Sequence, residues 1–154
     1  MKLAEALQER KDLNVRLEQL RLRLRDNALV QENEKTAEDP VELLRELEGA
    51  AARLKELMAR INLTNCRTTA ELDGETRTLT ELIAEKDALT VKLAAYRELI
   101  GAASKTAWAA RGSEIRIRAA VPVAELQKQT DGMAKRLRLL DNLLQETNWK
   151  TELV

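Results

Sequence analysis

The sequence predicts an all-α protein: an antiparallel four-helix bundle built from two copies of one helical hairpin. Three observations predict it. The composition is 34% charged and 44% hydrophobic but only 2% aromatic, with no Phe, five Gly and two Pro, as in chains made of long helices. Leucines recur at helical spacing. The second half of the chain repeats the first along both helices. At 154 residues with zero formal net charge, the chain is apolar enough to fold and long enough for one domain spanning 1–154.

Helix one reads from about Leu3 to about Ala28, with leucines at 3, 7, 13, 17, 20 and 24 near one face. Gln31 to Asp39 is polar and loop-like. Asp39-Pro40-Val41-Glu42 then has the grammar of a helix start: an acidic cap, Pro at the first position and Glu three residues after the cap. Helix two continues to about Asn65. Asp73-Gly74 is a favoured two-residue turn, so a short β-hairpin is expected over 68–78. Thr78-Leu79-Thr80-Glu81 is a capping box that opens helix three, which runs to about Ala110. After the break at Arg111-Gly112-Ser113, the alternation in Glu114-Ile115-Arg116-Ile117-Arg118 predicts a short β segment over 114–120. Helix four starts near Pro122 and runs to about Asn148.

The repeat carries the architecture. At an offset of 76, Leu3, Glu5, Glu9, Leu13, Val15 and Leu17 match Leu79, Glu81, Glu85, Leu89, Val91 and Leu93, six identities in the fifteen positions from Leu3 to Leu17. At an offset of 83, Glu42, Leu43, Gly49, Ala51, Arg53, Leu54 and Leu57 match Glu125, Leu126, Gly132, Ala134, Arg136, Leu137 and Leu140. Thr64-Asn65-Cys66-Arg67-Thr68 returns as Thr147-Asn148-Trp149-Lys150-Thr151. The pseudo-repeats are therefore 1–68 and 78–151. Gly49 and Gly132 are unfavourable inside helices, which predicts a close helix crossing at each.

Polar residues retained in both halves are the candidate site. Antiparallel hairpins would gather Glu5, Glu9, Arg10, Asn65, Arg67, Glu81, Glu85, Lys86, Asn148 and Lys150 at one end of the bundle. Two readings apply. In one, the cluster caps helices: Asn and Thr satisfy the last carbonyls while Arg67 and Lys150 face the C-terminal dipoles, and an Asn ending its helix in a left-handed conformation fits either reading. In the other, it binds a ligand, a metal ion or a partner. Arg10 and Lys86 fall within the leucine series, at the edge of the core stripe, where each needs a carboxylate partner.

Other chemistry is missing. The chain has no His, which removes Glu-x-x-His metal sites and Ser-His-Asp catalysis. Cys66 stands without a His partner, and no phosphate-binding loop occurs. No catalytic residue, cofactor or metal is predicted. The balanced charge argues against nucleic acid, with Arg21, Arg23 and Arg25 as the best basic stretch. No 18-residue apolar run spans a bilayer, and the N-terminus lacks a signal-peptide pattern, so the expected location is the cytoplasm.

The stretches Met1-Lys2-Leu3-Ala4-Glu5-Ala6-Leu7, Ala37-Glu38-Asp39-Pro40 and Arg60-Ile61-Asn62-Leu63-Thr64-Asn65 resemble a family of small helical bacterial proteins. So do Leu79-Thr80-Glu81, Ser113-Glu114-Ile115, Val123-Ala124-Glu125-Leu126-Gln127-Lys128-Gln129 and Asn148-Trp149-Lys150-Thr151. That family is described as septicolysin or as a domain of unknown function. The resemblance implies a helical fold and, through the label, a membrane-active pore former; it supplies no catalytic residues. The family tends to have an acid where Pro122 stands and a Tyr-containing stretch around Trp108 to Arg111, so this chain departs from it there. The residues themselves point instead to a non-catalytic interaction or scaffold protein that forms homo-oligomers. Ile115, Ile117 and Trp108 are its candidate contacts, and membrane association is not expected.

Overall fold

The computed structural model describes residues 1–106 and 115–154. They form α1 (Leu3–Asp26), α2 (Pro40–Arg67), β1 (Thr69–Leu72), β2 (Glu75–Thr78), α3 (Leu79–Ala103) and α4 (Val123–Lys150). The chain is predominantly helical, with a two-stranded sheet between α2 and α3. It divides into two compact units. One comprises Met1–Thr69 with Thr147–Val154, the other Ala70–Glu146.

In the first unit α1 and α2 form a hairpin. The α2 residues that turn inward are Leu43, Leu47, Ala50, Leu54, Leu57, Ile61 and Thr64, spaced alternately by four and three, so they form one stripe. Leu57, Ile61 and Thr64 are completely buried, as are Leu3, Ala6 and Leu20 of α1. Three ion pairs cross the hairpin: Glu9–Arg53, Arg16–Glu46 and Arg23–Glu38, seven residues apart along α1. The partners step back along the chain from Arg53 to Glu46 to Glu38, as an antiparallel hairpin requires. The sign is not uniform: α1 supplies the acid in the first pair and the base in the other two. A slip of one heptad would place Glu9 opposite Glu46, so these charges select the register more than they stabilise it.

The hairpin loop is held by Asn27, a residue with no motif around it to mark it. Asn27 is buried at the end of α1; its amide donates to the Arg23 carbonyl at 2.8 Å and its side-chain oxygen accepts the Glu38 N–H at 2.9 Å. Asp39 then caps α2 by accepting the Val41 N–H at 2.9 Å, with Pro40 at the first position, as its sequence grammar indicates. The segment Thr151–Val154 also belongs to this unit. Leu3 N–H donates to the Thr151 carbonyl and Leu153 N–H to the Met1 carbonyl, both at 2.9 Å. Val154 N–H reaches the buried Thr64 hydroxyl at 3.1 Å.

In the second unit, Asp73 and Gly74 have φ of 55° and 79°, the paired positive values of a type I′ turn, which explains the hairpin at this dipeptide. The turn puts Thr69 opposite Thr78. Under the repeat offsets these two positions correspond to Glu152 and Lys2, which form an isolated antiparallel bridge in the first unit. Each repeat thus enters its first helix from a short antiparallel pairing. Thr78 caps α3, accepting the Glu81 N–H at 3.2 Å, while Glu81 accepts the Thr78 N–H at 2.8 Å. Thr78→Ala is expected to lower stability by ~1 kcal/mol in urea unfolding; an unchanged midpoint would show that the cap contributes nothing.

Three features differ from expectation. Residues 115–122 are neither helix nor strand, so the expected β segment over 114–120 is absent from its described part. Alternation alone does not make a strand, because the backbone also needs a neighbouring edge for its hydrogen bonds. Glu114 and Trp108 lie outside the described residues, as does the expected end of helix three; α3 itself closes at Ala103 with Ser104 as its cap. Second, α2 and α4 run past Asn65 and Asn148. Thr68, in extended conformation, ends α2, so no left-handed Asn terminates it. Third, Gly49 and Gly132 mark no close crossing: a Cβ built on either would meet nothing within 4 Å. Gly49→Ala and Gly132→Ala are each expected to stabilise by ~0.5–1 kcal/mol, read as a higher urea midpoint. A lowered midpoint would reinstate a packing role.

Candidate functional site

The repeated acids take the same local roles in both units. Glu5 accepts the Lys2 N–H at 2.6 Å, just as Glu81 accepts that of Thr78, so each closes the start of its helix. The two hydrogen bonds from Thr78, backbone first and hydroxyl second, hold the Glu81 carboxyl below the usual range. Glu9 meets Arg53 bidentately at 2.6 and 2.9 Å. Glu85 meets Arg136, the repeat equivalent of Arg53, at 2.7 Å. Hydrogen bonding to the guanidinium lowers the pKa of Glu9, and that of Glu85 in the same way. Positions that match between the two halves therefore hold the same interhelical ion pair.

The second unit elaborates this pair. Arg77 of β2 donates to the other oxygen of Glu85 at 2.7 Å, and Arg136 also pairs with Asp73 in the turn. Glu85 thus sits between two arginines. Lys86 finds the carboxylate its position requires in Asp141. Its counterpart Arg10 does not, because the position equivalent to Asp141 is Met58. Among the described residues, the side chains of Arg10, Asn65, Arg67 and Asn148 form no ion pair or hydrogen bond.

The predicted cluster divides accordingly. Glu5, Glu9, Arg10, Asn65, Arg67, Asn148 and Lys150 belong to the first unit, and Glu81, Glu85 and Lys86 to the second. The partners that organise them, Arg53, Arg136 and Asp141, lie outside the predicted set. Arg53 and Arg136 are visible in the sequence as a repeat identity. Nothing in the sequence distinguishes Asp141 from other acids of α4.

A concave surface joins part of this set in the first unit. Ala4, Glu5, Gln8, Glu9 and Asp12 of α1, with Met1 and Trp149, line a groove of about 450 Å³. Trp149 is 64% exposed, unusual for so large an apolar side chain. Gln8 donates to Asp12 at 2.9 Å. Glu9 is neutralised by Arg53, so Glu5 and Asp12 are the groove's carboxylates without a basic partner. An indole beside such carboxylates suits a cation carried on an apolar stem.

A second groove of about 430 Å³ lies in the other unit, lined by Leu99, Ala103, Ile117 and Val121 with Lys105 and Arg118. Ile115, two residues before Ile117, is 75% exposed. The basic stretch of α1 is not a free cationic stripe: Arg21 pairs with Glu18, Arg23 with Glu38 and Arg25 with Asp26. No His, Cys, Asp or Glu among the described residues clusters in a way that could hold a metal ion. No helix among them is long and apolar enough to cross a membrane.

The profile of a family of unknown function, DUF6847, matches residues 10–153. Among solved structures, the chain is similar to a functionally unknown conserved protein from Corynebacterium diphtheriae. The two are 38% identical, the likeness covers 100% of this chain and 99% of that one, and the TM-score is 0.92. No curated protein matches.

Proposed function

We propose that this chain, which belongs to the DUF6847 family of unknown function, is a non-catalytic helical interaction module that associates with copies of itself. The observation that carries this reading is Trp149. The first repeat has Cys66 at this position; the second has an indole that remains mostly exposed at the edge of a groove. Large exposed aromatics are favoured at protein contacts, where burial removes much apolar area at little rotamer entropy.

Two further features support it. The repeated acids Glu5, Glu9, Glu81 and Glu85 already hold hydrogen bonds or ion pairs inside their own units, so their retention needs no bound ligand. Exposed apolar residues also recur away from Trp149, with Leu29 at 92% in the α1–α2 loop and Ile115 and Ile117 before α4. Native mass spectrometry with sedimentation equilibrium tests the proposal. The expected result is a concentration-dependent mass at multiples of 17.4 kDa. A monomer at every concentration would overturn it.

A further inference from the structure

We infer that the Trp149 groove is the receiving half of this self-association, and that its occupant is the Arg116–Arg118 segment of a second copy. This pairing rests on the self-association reading and names the surfaces that meet. Those surfaces carry complementary chemistry. The groove is apolar at Trp149 and Ala4 and negative at Glu5 and Asp12. These carboxylates are seven residues apart on α1, so their backbones are separated by ~10 Å along the helix axis.

The segment before α4 has the reciprocal pattern. Arg116 and Arg118 flank Ile117, all three are exposed, and the backbone there is in neither helix nor strand. Among the described residues, neither arginine forms an ion pair. Two guanidinium groups two residues apart, on long flexible stems, can reach carboxylates at that separation. The intervening isoleucine and the arginine stems supply apolar surface for the indole. The donor and acceptor surfaces differ, so the contact is either exchanged reciprocally about a twofold axis or repeated head to tail, which builds a closed ring or an open series according to the rotation between copies.

Charge reversal separates this contact from other modes of association. Asp12→Lys, the pair Arg116→Glu with Arg118→Glu, and Trp149→Ala are each made, with helicity checked by far-ultraviolet circular dichroism. Sedimentation equilibrium is run at low and high salt. Trp149→Ala is expected to weaken association about thirtyfold, and each charge reversal roughly tenfold at low salt. Reversing both groove carboxylates, Glu5→Lys with Asp12→Lys, in combination with the two Arg→Glu changes should restore association. If the wild type associates but the variants associate equally well, this pairing is wrong while self-association stands. If the wild type stays monomeric, both fall.

Discussion

Leu57→Ala is expected to lower the unfolding free energy by ~2–5 kcal/mol, the range for deleting a fully buried leucine and leaving a cavity behind. Leu57 has no exposed surface and stands within the inward stripe of α2, between Leu54 and Ile61. Leu140 is its repeat equivalent on α4 and is equally buried, so Leu140→Ala should fall in the same range. Met58→Ala is the control. Met58 adjoins Leu57 in sequence but is exposed, and a surface change of this kind moves stability by ~0.5 kcal/mol or less. Urea unfolding of the three variants beside the wild type reads the difference. Equal costs at positions 57 and 58 would refute the inward stripe.

Glu85→Gln is expected to cost ~1–2 kcal/mol at neutral pH. That is more than a typical surface ion pair and less than a fully buried one. The side chains of Arg77, Glu85 and Arg136 are 24, 27 and 28% exposed, so water screens them in part. Removing the carboxylate charge leaves two guanidinium groups without the anion they share. The pH dependence follows from the lowered pKa of Glu85, whose first cause is the hydrogen bond from Arg136. The folded state holds its proton less tightly than the unfolded state. The stabilisation is therefore complete above the ordinary carboxylate value near 4.5 and disappears as pH falls through the lower folded value. The gap between wild type and Glu85→Gln should be widest at neutral pH and close in acid, because a protonated glutamate resembles glutamine. A gap that stays constant into acid would mean that the substitution disturbs packing and that charge is not the cause.

Legibility differs sharply from residue to residue. Asp39-Pro40, Asp73-Gly74 and the Thr78–Glu81 box each mark their helix start or turn in the sequence, because the groups that bond lie within three residues. The repeat offsets are also readable, and they foretell that Glu9 and Glu85 behave alike. They do not foretell the partner. Arg53 is 44 residues from Glu9, and only the hairpin register brings them together. Asn27 reads as an ordinary residue near a helix end, yet it is the buried connector between α1 and the loop that leads to α2. Alternation at 115–118 suggests a strand because periodicity records which way side chains point; it does not record whether an edge is present to receive the backbone.

The helical class, the matching positions of the two halves, most helix starts and the type I′ turn can all be read from the linear chain. Each depends on local backbone chemistry or on a pattern that recurs within one element. Other features emerge only once the chain has packed: which charges meet, that the helical glycines are open and not crossed, that Arg10 lacks the acid its counterpart Lys86 has, and that Trp149 stands exposed over an acidic groove. Those outcomes depend on distances between segments far apart in the chain. Such distances follow from how the stripes pack and how the hairpin is registered, which single-sequence patterns leave unspecified.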